Sequence, residues 1–186
     1  GVELADQLAH FWGLPGNDLA FSRARRDKFA MYEAVSKAGL RHLDYGRFAA
    51  SPPLVSWVKQ KNRFPVVIKP ARSAGADGLH ICRSLDEVEQ AFEKLTGMNT
   101  IFGEPNTSVI AQEFADGYEV VVNTVSCKSW HRVTDLWRYS KTITADGRSV
   151  YDGAELVPDF GEVTDEVLGY AFAVLDALKI TIGAAH

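Results

Sequence analysis

A lysine at the end of an apolar run is the first residue of this sequence that could do chemistry. Lys69 closes the run 64–69, whose composition predicts a buried strand. An ammonium group is costly to bury unless it is paired. The lysine therefore either reaches solvent along its aliphatic stem or is fixed as a cation in a cleft, where it would meet phosphate as a point charge. Lys69 alone does not decide between these interpretations.

A loop of small residues follows this lysine directly. It reads Arg-Ser-Ala-Gly-Ala-Asp-Gly over residues 72–78. Small side chains let successive backbone N–H groups approach an anion and form a concave binding site. The spacing does not match the phosphate loop GxxxxGK[ST], and the next segment predicts a strand where that motif needs a helix. An ordinary hairpin loop is the alternative, but lysine and loop together favour a phosphate site.

A second candidate cation, Lys28, follows Arg25-Arg26-Asp27 near the start of a predicted helix. A triphosphate carries roughly four negative charges, so its site needs several cations. Lys28 and Lys69 on facing elements would supply two of them. The alternative interpretation of Lys28 is a solvated helix face.

The segment 109–119 could recognise a nucleoside. A predicted strand ends in Gln112-Glu113, turns through residues 115–117 and restarts at Tyr118-Glu119. Adenine presents an amino donor and ring acceptors. The carboxylate or carbonyl of Glu113 and a backbone N–H near Ala115 fit that edge, and Glu119 could accept from ribose hydroxyls. A plain connection with solvated acids is the alternative.

The strand predicted over 131–143 is unusually polar. Strict alternation assigns its side chains to two faces. One face would carry His131, Val133, Asp135, Trp137 and Tyr139, and the other Arg132, Thr134, Leu136, Arg138 and Ser140. Such a strand is either half solvated or faces a cleft.

The remaining pattern predicts the elements that position these residues. Helices are expected over 2–12, from Ser22 to about 38, over 54–61, from the capping box Ser84-Leu-Asp-Glu87, and from Thr164. Strands are expected over 64–69, 79–82, 109–113, 118–126, 131–143 and 149–151, with a hairpin turn at Asp146-Gly147. Strands and helices do not alternate regularly, so we predict an α+β fold in two lobes.

The bulk properties exclude several function classes. The 186 residues carry a net charge of −4, which gives no electrostatic case for nucleic acid or an anionic membrane. No apolar run reaches the about 18–20 residues of a membrane span and no signal peptide is present, so we expect a cytoplasmic protein. Cys82 and Cys127 lack metal-ligand spacing and are expected to be reduced, structural thiols. Four histidines also lack metal-ligand spacing and are expected to be structural or surface residues: His10, His42, His80 and His186.

Four features occur together in an order and spacing that resembles the ATP-grasp superfamily, over residues 16–186. They are Arg26-Asp-Lys28, the strand 64–70 with its loop 73–78, Gln112-Glu-Phe-Ala-Asp-Gly-Tyr-Glu119, and Ile182-Gly-Ala-Ala-His186. The branch that it resembles contains L-amino-acid ligases and carbamoyl-phosphate synthase-like proteins. The resemblance implies two α+β lobes with a nucleotide cleft between them. The expected divisions are a tail helix of a preceding domain (1–15), a small lobe (16–112) and part of a large lobe (113–186).

The resemblance also implies a role for each candidate residue. Lys28 and Lys69 would contact ATP phosphates, and Ser73, Gly75 and Gly78 would belong to the lid loop over them. Glu113, Phe114 and Ala115 would line the adenine pocket, and Gln112 before them would be a further nucleotide-binding residue. Glu119 would reach ribose. Arg138 or Lys141 would suit a carboxylate or an acyl phosphate.

The implied reaction is a ligation. ATP would phosphorylate a small-molecule carboxylate, and an amine would attack the acyl phosphate and expel phosphate. Mg²⁺ would act with ATP, but in this family its acidic ligands follow the segment that ends here at His186. We therefore expect these 186 residues alone to lack appreciable ligase activity.

Two other functions are left open: a non-catalytic nucleotide-binding or regulatory module of the same fold, and a structural α+β domain. The sequence does not identify the acid and the amine that are joined, so dipeptide synthesis, natural-product ligation and bicarbonate activation are all compatible with it. Whether the protein forms a homodimer is also left open.

Overall fold

The computed structural model describes residues 1–73, 77–100, 102–144, 149–158 and 164–186. In chain order its elements are α1 Val2–Phe11, α2 Lys28–Lys37, β1 Tyr45–Phe48, α3 Ser51–Lys61, β2 Val66–Pro70, β3 His80–Cys82, α4 Leu85–Thr96, β4 Val109–Glu113, β5 Glu119–Cys127, β6 Trp130–Ile143, β7 Ser149–Leu156, α5 Thr164–Ala177 and β8 Ile182–Ala185. Two single-turn 3₁₀ helices, Leu19–Phe21 and Arg23–Arg25, precede α2. The α+β prediction is confirmed. Within the described ranges, no helix is long and apolar enough to cross a membrane.

The chain divides into two compact units. The first contains Gly1–His42, Gly117–Lys141 and Tyr151–His186, and the second contains Leu43–Asp116 and Thr142–Val150. In the first unit, residues 16–42 pack with the later strands and α5. The lobes 16–112 and 113–186, and a tail helix over 1–15, stay a prediction about the family's domain organisation.

An antiparallel sheet with the strand order β1-β4-β2-β3 forms the second unit. Helices α3 and α4 cover one face of this sheet. The core between helices and sheet contains Leu54, Val58, Val66, Ile68, Cys82, Val88, Ala91, Phe92, Leu95, Val109 and Ala111. Because side chains alternate along a strand, residues 67, 69, 110 and 112 belong to the other face.

The start of α4 follows its local sequence. The Ser84 hydroxyl accepts the Glu87 N–H at 3.2 Å, and the Glu87 carboxylate accepts the Arg83 N–H at 2.7 Å. The predicted capping box is therefore confirmed, and the helix buries Val88, Phe92 and Leu95 as its periodicity requires.

The predicted start of α2 is wrong. The helix begins at Lys28, where the Asp27 carboxylate accepts from the N–H groups of residues 29 and 30 at 3.0 and 3.1 Å. Ser22 does not cap a helix, because its hydroxyl donates to the Asp6 carboxylate at 2.6 Å. The segment 19–25, expected as helix, forms the two 3₁₀ turns.

Helix α1 is attached to its unit through a carboxylate. Asp6 is the one buried residue of this helix, and the Arg25 guanidinium donates to it at 2.7 Å. The apolar side chains of the amphipathic pattern are exposed, with Phe11 at 79% and Trp12 at 61%. The helix is therefore held by the Asp6–Arg25 ion pair and not by burial of an apolar face.

A second sheet, with the strand order β7-β6-β5-β8, spans most of the first unit. Strands β5 and β6 are antiparallel, with one irregularity: Asn123 lies opposite Asp135, but Thr124 lies opposite Val133. Thr134 is thus an extra residue in β6, which is a β-bulge.

The bulge reverses the side-chain alternation of β6. The expected grouping of His131 and Val133 with Asp135, Trp137 and Tyr139 is therefore wrong. One face of the sheet, the helix face, carries His131, whose ring contacts Phe172 of α5 at a centroid distance of 5.8 Å. The opposite face, the polar face, is defined by Glu119, Asn123, Asp135, Trp137, Tyr139 and His186.

Strands β1 and β8 have no counterpart among the expected elements. Strand β1 pairs with β4, with Tyr45 opposite Gln112. Strand β8 pairs with β5 and is held on its approach by Asn17, whose side-chain oxygen accepts the N–H groups of Thr181 and Ile182 at 2.7 and 3.1 Å. The Asn17 amide also donates to the Ile182 carbonyl at 3.0 Å. β7 extends beyond the expected 149–151, and the hairpin turn at Asp146-Gly147 lies outside the described residues.

Candidate functional site

Lys69 lies on the face of the first sheet opposite α3 and α4. Its ammonium donates to the Gln112 side-chain oxygen at 2.5 Å. The two residues lie on neighbouring strands in diagonal register, since Lys69 is opposite Ile110 and Gln112 is opposite Val67. Gln112 is a neutral acceptor, and this hydrogen bond fixes the position of the ammonium group.

The loop after Lys69 is described in part. Ser73 donates to the Asp77 carboxylate at 2.6 Å, and Gly75 lies outside the described residues. Gly78 has φ +68, and a Cβ there would lie 2.8 Å from a Leu95 methyl and 2.9 Å from the Pro70 ring. Both the left-handed backbone and the packing against Leu95 therefore require glycine at this position.

Glu113 lies on the other side of β4 from Gln112. Its carboxylate accepts from Arg63 at 2.8 Å and from the Asp44 N–H at 3.3 Å, and its own N–H donates to the Asp44 carbonyl at 2.9 Å. The Glu113 carboxylate, one candidate acceptor for adenine, thus already accepts two hydrogen bonds within the protein. The other predicted adenine contacts, the Glu113 carbonyl and an N–H near exposed Ala115, stay a prediction; Phe114 beside them is half-buried.

Lys28 is the first residue of α2 and belongs to the first unit, whereas Lys69 belongs to the second. Their convergence on one triphosphate stays a prediction.

Glu119 and Lys141 form an ion pair on the polar face of the second sheet. The Lys141 ammonium also lies over the Tyr151 ring, 4.6 Å from its centroid, and Tyr151 meets Tyr139 edge to face. Partial burial lowers the pKa of Lys141, but the hydrogen bond and charge of Glu119, together with Tyr151, outweigh it and raise that pKa. The structure therefore links the predicted ribose ligand to one predicted substrate ligand.

Arg138 lies on the opposite face of the sheet from Lys141. It pairs across the strands with Val120, one residue out of phase with Glu119, and donates to Glu155 at 2.6 Å. The structure does not bring the two predicted catalytic cations together. Arg138 and Lys141 are three positions apart on β6, and side chains an odd number of positions apart on a strand lie on opposite faces of the sheet.

Four residues that were not predicted as site residues form a chain of hydrogen bonds on the polar face. His186 Nδ1 lies 2.8 Å from the Asn123 side-chain oxygen, and the Asn123 amide donates to Asp135 at 2.5 Å. Trp137 donates its indole N–H to the same Asp135 oxygen at 2.5 Å. The available signal was Asn123, a polar residue inside the otherwise apolar strand sequence Val-Val-Val-Asn-Thr-Val.

An open pocket lies beside the hydrogen-bonded residues of the polar face. Its lining consists of Tyr139, Tyr151, Asp152, Gly153, Ala154 and His186. His186 was read as a structural or surface residue; the structure gives it both a hydrogen-bonded nitrogen and a place in the pocket wall.

The helix face contains a serine, a histidine and an aspartate that resemble a hydrolase triad. Ser126 Oγ is 2.8 Å from His131 Nδ1, and His131 Nε2 is 3.2 Å from the Asp176 carboxylate. Ser126 is only 6% exposed and lies under α5, so its hydroxyl is not accessible to a substrate. These contacts join β5, β6 and α5, and a nucleophilic role does not follow from them.

The described parts of the chain hold no group of three or more His, Cys, Asp or Glu residues that could bind a metal ion. Both cysteines are free thiols there; Cys82 is buried and Cys127 is exposed.

Comparison with known proteins decides the family. The model of the phosphoribosylglycinamide synthetase ATP-grasp (A) domain matches residues 26–150. The chain belongs to the ATP-grasp family. This match confirms the predicted superfamily and covers Lys28, Lys69, Gln112, Glu119 and Lys141.

The relatives of this ATP-grasp chain are ligases and synthases. Dapdiamide A synthase of Enterobacter agglomerans is 36% identical over 186 residues, which is 100% of this chain and 44% of that protein. The L-amino acid ligase structure from Bacillus licheniformis superposes with a TM-score of 0.72 at 19% identity, over 98% of this chain and 41% of that one. The D-alanine–D-alanine ligase structure from Bacillus anthracis complexed with ATP gives a TM-score of 0.71 at 17% identity, over 96% and 57%. The chain thus spans less than half the length of the first two proteins.

Proposed function

We propose that this chain supplies the ATP-binding part of a ligase that joins a small-molecule carboxylate to an amine through an acyl phosphate. The proposal rests on membership of the ATP-grasp family and on relatives whose names describe a dapdiamide synthase and an L-amino acid ligase. Amino acids are the proposed substrates.

The observation that carries the proposal is the setting of Lys69. Its neighbours Ile68 and Pro70 are buried among the helices, whereas its half-buried side chain lies on the opposite face of the sheet and donates to the Gln112 amide oxygen. A lysine that served only to reach solvent would not need a fixed partner on the adjacent strand. An oriented, charged ammonium next to a loop of small residues suits a phosphate oxygen.

The other residues take their roles from chemistry and position. Lys28 would add a second cation, Gln112 would orient Lys69, and Glu119 would accept from ribose hydroxyls. Lys141 would carry positive charge to the polar face, where an acyl phosphate gains negative charge. Such a site acts by positioning its reactants and stabilising charge, and it needs no protein nucleophile.

Among the described residues, no group of three or more His, Cys, Asp or Glu side chains could hold a metal ion. We derive no step through magnesium, and the expectation that its ligands follow His186 stays a prediction.

ATP binding by the chain tests the nucleotide site. Lys69→Met should weaken ATP binding roughly ten- to hundredfold, because a hydrogen bond to a charged group contributes about 1.5–3 kcal/mol. Titration calorimetry with ATP measures this directly. The matched control is Lys59→Met, the same change on the exposed side of α3 in the same unit, which should bind ATP normally. Equal ATP affinity in both variants would count against a phosphate contact at Lys69.

The reaction class is tested on the protein that carries this chain. With hydroxylamine in place of the amine, an acyl phosphate gives a hydroxamate, and the nucleotide product is ADP. Release of AMP and pyrophosphate would instead show an acyl adenylate and would contradict the proposed intermediate.

A further inference from the structure

The carboxylate of Glu113 takes part in the backbone pairing of its own strand. In an antiparallel sheet, the two residues of a hydrogen-bonded pair exchange both of their backbone N–H···O=C bonds. Asp44 faces Glu113, because the register pairs Tyr45 with Gln112. The Glu113 N–H donates to the Asp44 carbonyl at 2.9 Å, as this pattern requires. The Asp44 N–H, however, donates to the Glu113 carboxylate at 3.3 Å, so a side chain accepts the hydrogen bond that a regular ladder gives to the main-chain carbonyl.

Arg63 holds this carboxylate in place. Its guanidinium, from the segment between α3 and β2, donates to the other oxygen of Glu113 at 2.8 Å. Asp44 is held in turn, because the Lys61 ammonium donates to its carboxylate at 2.8 Å and lies 5.7 Å from the centroid of the Trp57 ring. Two ion pairs therefore join the residue before β1, the segment that follows from α3, and the last residue of β4.

The end of β4 is where the predicted adenine contact begins. Adenine carries an exocyclic amino group that donates, whereas guanine carries an oxygen that accepts at the equivalent ring position. A main-chain carbonyl therefore attracts the amino group of adenine and repels the oxygen of guanine. Such a carbonyl discriminates best when its direction is fixed in advance and strand pairing does not compete for it.

We propose that the Glu113 side chain is a positioning group for this contact: by accepting the Asp44 N–H it releases the Glu113 carbonyl from strand pairing for the nucleobase, and Arg63 holds it in that role. The inference rests on the proposed function, because it concerns the nucleotide site of the ligase. Arg63 acts through Glu113 and is a positioning residue for the selection of adenine over guanine.

The Glu113 carbonyl can be observed by itself. Glu113-Phe114 is the only Glu-Phe pair in the sequence. Labelling glutamate with ¹³C at the carbonyl and phenylalanine with ¹⁵N therefore gives one correlated nuclear magnetic resonance signal. ATP should shift the carbon frequency of this signal, and inorganic tripolyphosphate, which has the phosphates without a base, should not. A signal that responds to both ligands, or that ignores bound ATP, would overturn the inference.

The role of Arg63 is tested by calorimetric titration with ATP, GTP and tripolyphosphate. Arg63→Met should weaken ATP binding roughly fivefold, as expected when one hydrogen bond loses its orientation. It should also reduce the preference for ATP over GTP and leave the affinity for tripolyphosphate unchanged. Arg63→Lys should restore ATP affinity, because an ammonium also donates to a carboxylate. The matched control is Arg83→Met, at an exposed arginine of the same unit, which should bind all three ligands as the unchanged chain does.

Equal weakening of ATP and tripolyphosphate binding in Arg63→Met would show a general effect of positive charge and would overturn the positioning role, as would unaltered ATP affinity. The Arg63 side chain is 69% exposed, so we expect the variant to fold, and the carbonyl measurement on the unchanged chain does not depend on it.

The unchanged chain separates the two failures. If it binds neither ATP nor tripolyphosphate, the proposed function fails and this inference fails with it. If it binds both but the Glu113 carbonyl signal does not respond to ATP, the positioning role is wrong and the nucleotide function stands.

Discussion

Replacing Asp6 by alanine should lower the free energy of unfolding by about 3–5 kcal/mol, the cost of removing one partner from a buried ion pair. The Asp6 and Arg25 side chains are 5% and 4% exposed, and their charged atoms are 2.7 Å apart. Arg25 also donates to the Leu178 and Asp18 carbonyls at 2.9 and 2.8 Å, so it joins α1 to the segment after α5. Without the carboxylate, a guanidinium would remain in this buried position with its charge uncompensated.

The loss should appear as a fall of about 6–20 °C in the midpoint of thermal unfolding, at roughly 2–4 °C per kcal/mol for a chain of this size. Circular dichroism and urea titration measure both quantities. The matched control is Glu33→Ala, which breaks the Glu33–Lys37 pair on α2. Those side chains are 46% and 77% exposed and 3.7 Å apart, so the change should be below about 1 kcal/mol.

A double variant tests the reasoning further. Asp6→Leu with Arg25→Met removes both charges and keeps apolar volume, and it should be more stable than Asp6→Ala alone. The reasoning would be refuted if Asp6→Ala unfolds within about 1 kcal/mol of the unchanged chain, because α1 would then not be held by this pair.

Three smaller predictions concern single groups. Ser84→Ala should destabilise the fold by about 1 kcal/mol through loss of the α4 cap, measured by urea unfolding; no measurable change would contradict the cap. A thiol reagent should label Cys127 in the folded chain and Cys82 only on unfolding, since burial, with the charge of Glu87 second, raises the pKa of the Cys82 thiol to about 12; early labelling at both sites would contradict this. Burial, with Tyr170 second, raises the pKa of Tyr32 from 10.0 to about 12, so its contribution to stability is complete below pH 10 and is lost as the pH rises towards 12. Tyr32→Phe should flatten that alkaline decline in urea-unfolding free energy, and an unchanged decline would argue against it.

Elements with local determinants were predictable from the sequence. Helix α4 was placed correctly because its cap and its apolar period lie within the helix itself. The start of α2 was missed although Asp27 is an equally good cap residue. The choice between Ser22 and Asp27 depends on Asp6, which takes the Ser22 hydroxyl from another helix. Local sequence does not contain that competition.

The two missed strands depend on partners far away in sequence. Strand β1 contains only four residues, one of them Gly46, and forms by pairing with β4 more than sixty positions later. Strand β8 consists of small residues with Gly183 at φ +121, and it is anchored by Asn17. Neither segment has the alternating, β-branched composition that predicts a strand on its own.

The phosphate half of the candidate site was easier to predict than the substrate half for the same reason. Lys69 and its loop are consecutive in sequence, so their association needs only a strand and a turn. The residues of the polar face come from three strands, and a single inserted residue, Thr134, decides which of them share a face. With strict alternation, Arg138 would have lain on the face opposite Asp135, as it does, but His131 would have joined Asp135 instead of packing on α5. The bulge removes that histidine from the candidate site, and His186 on β8 provides an imidazole there.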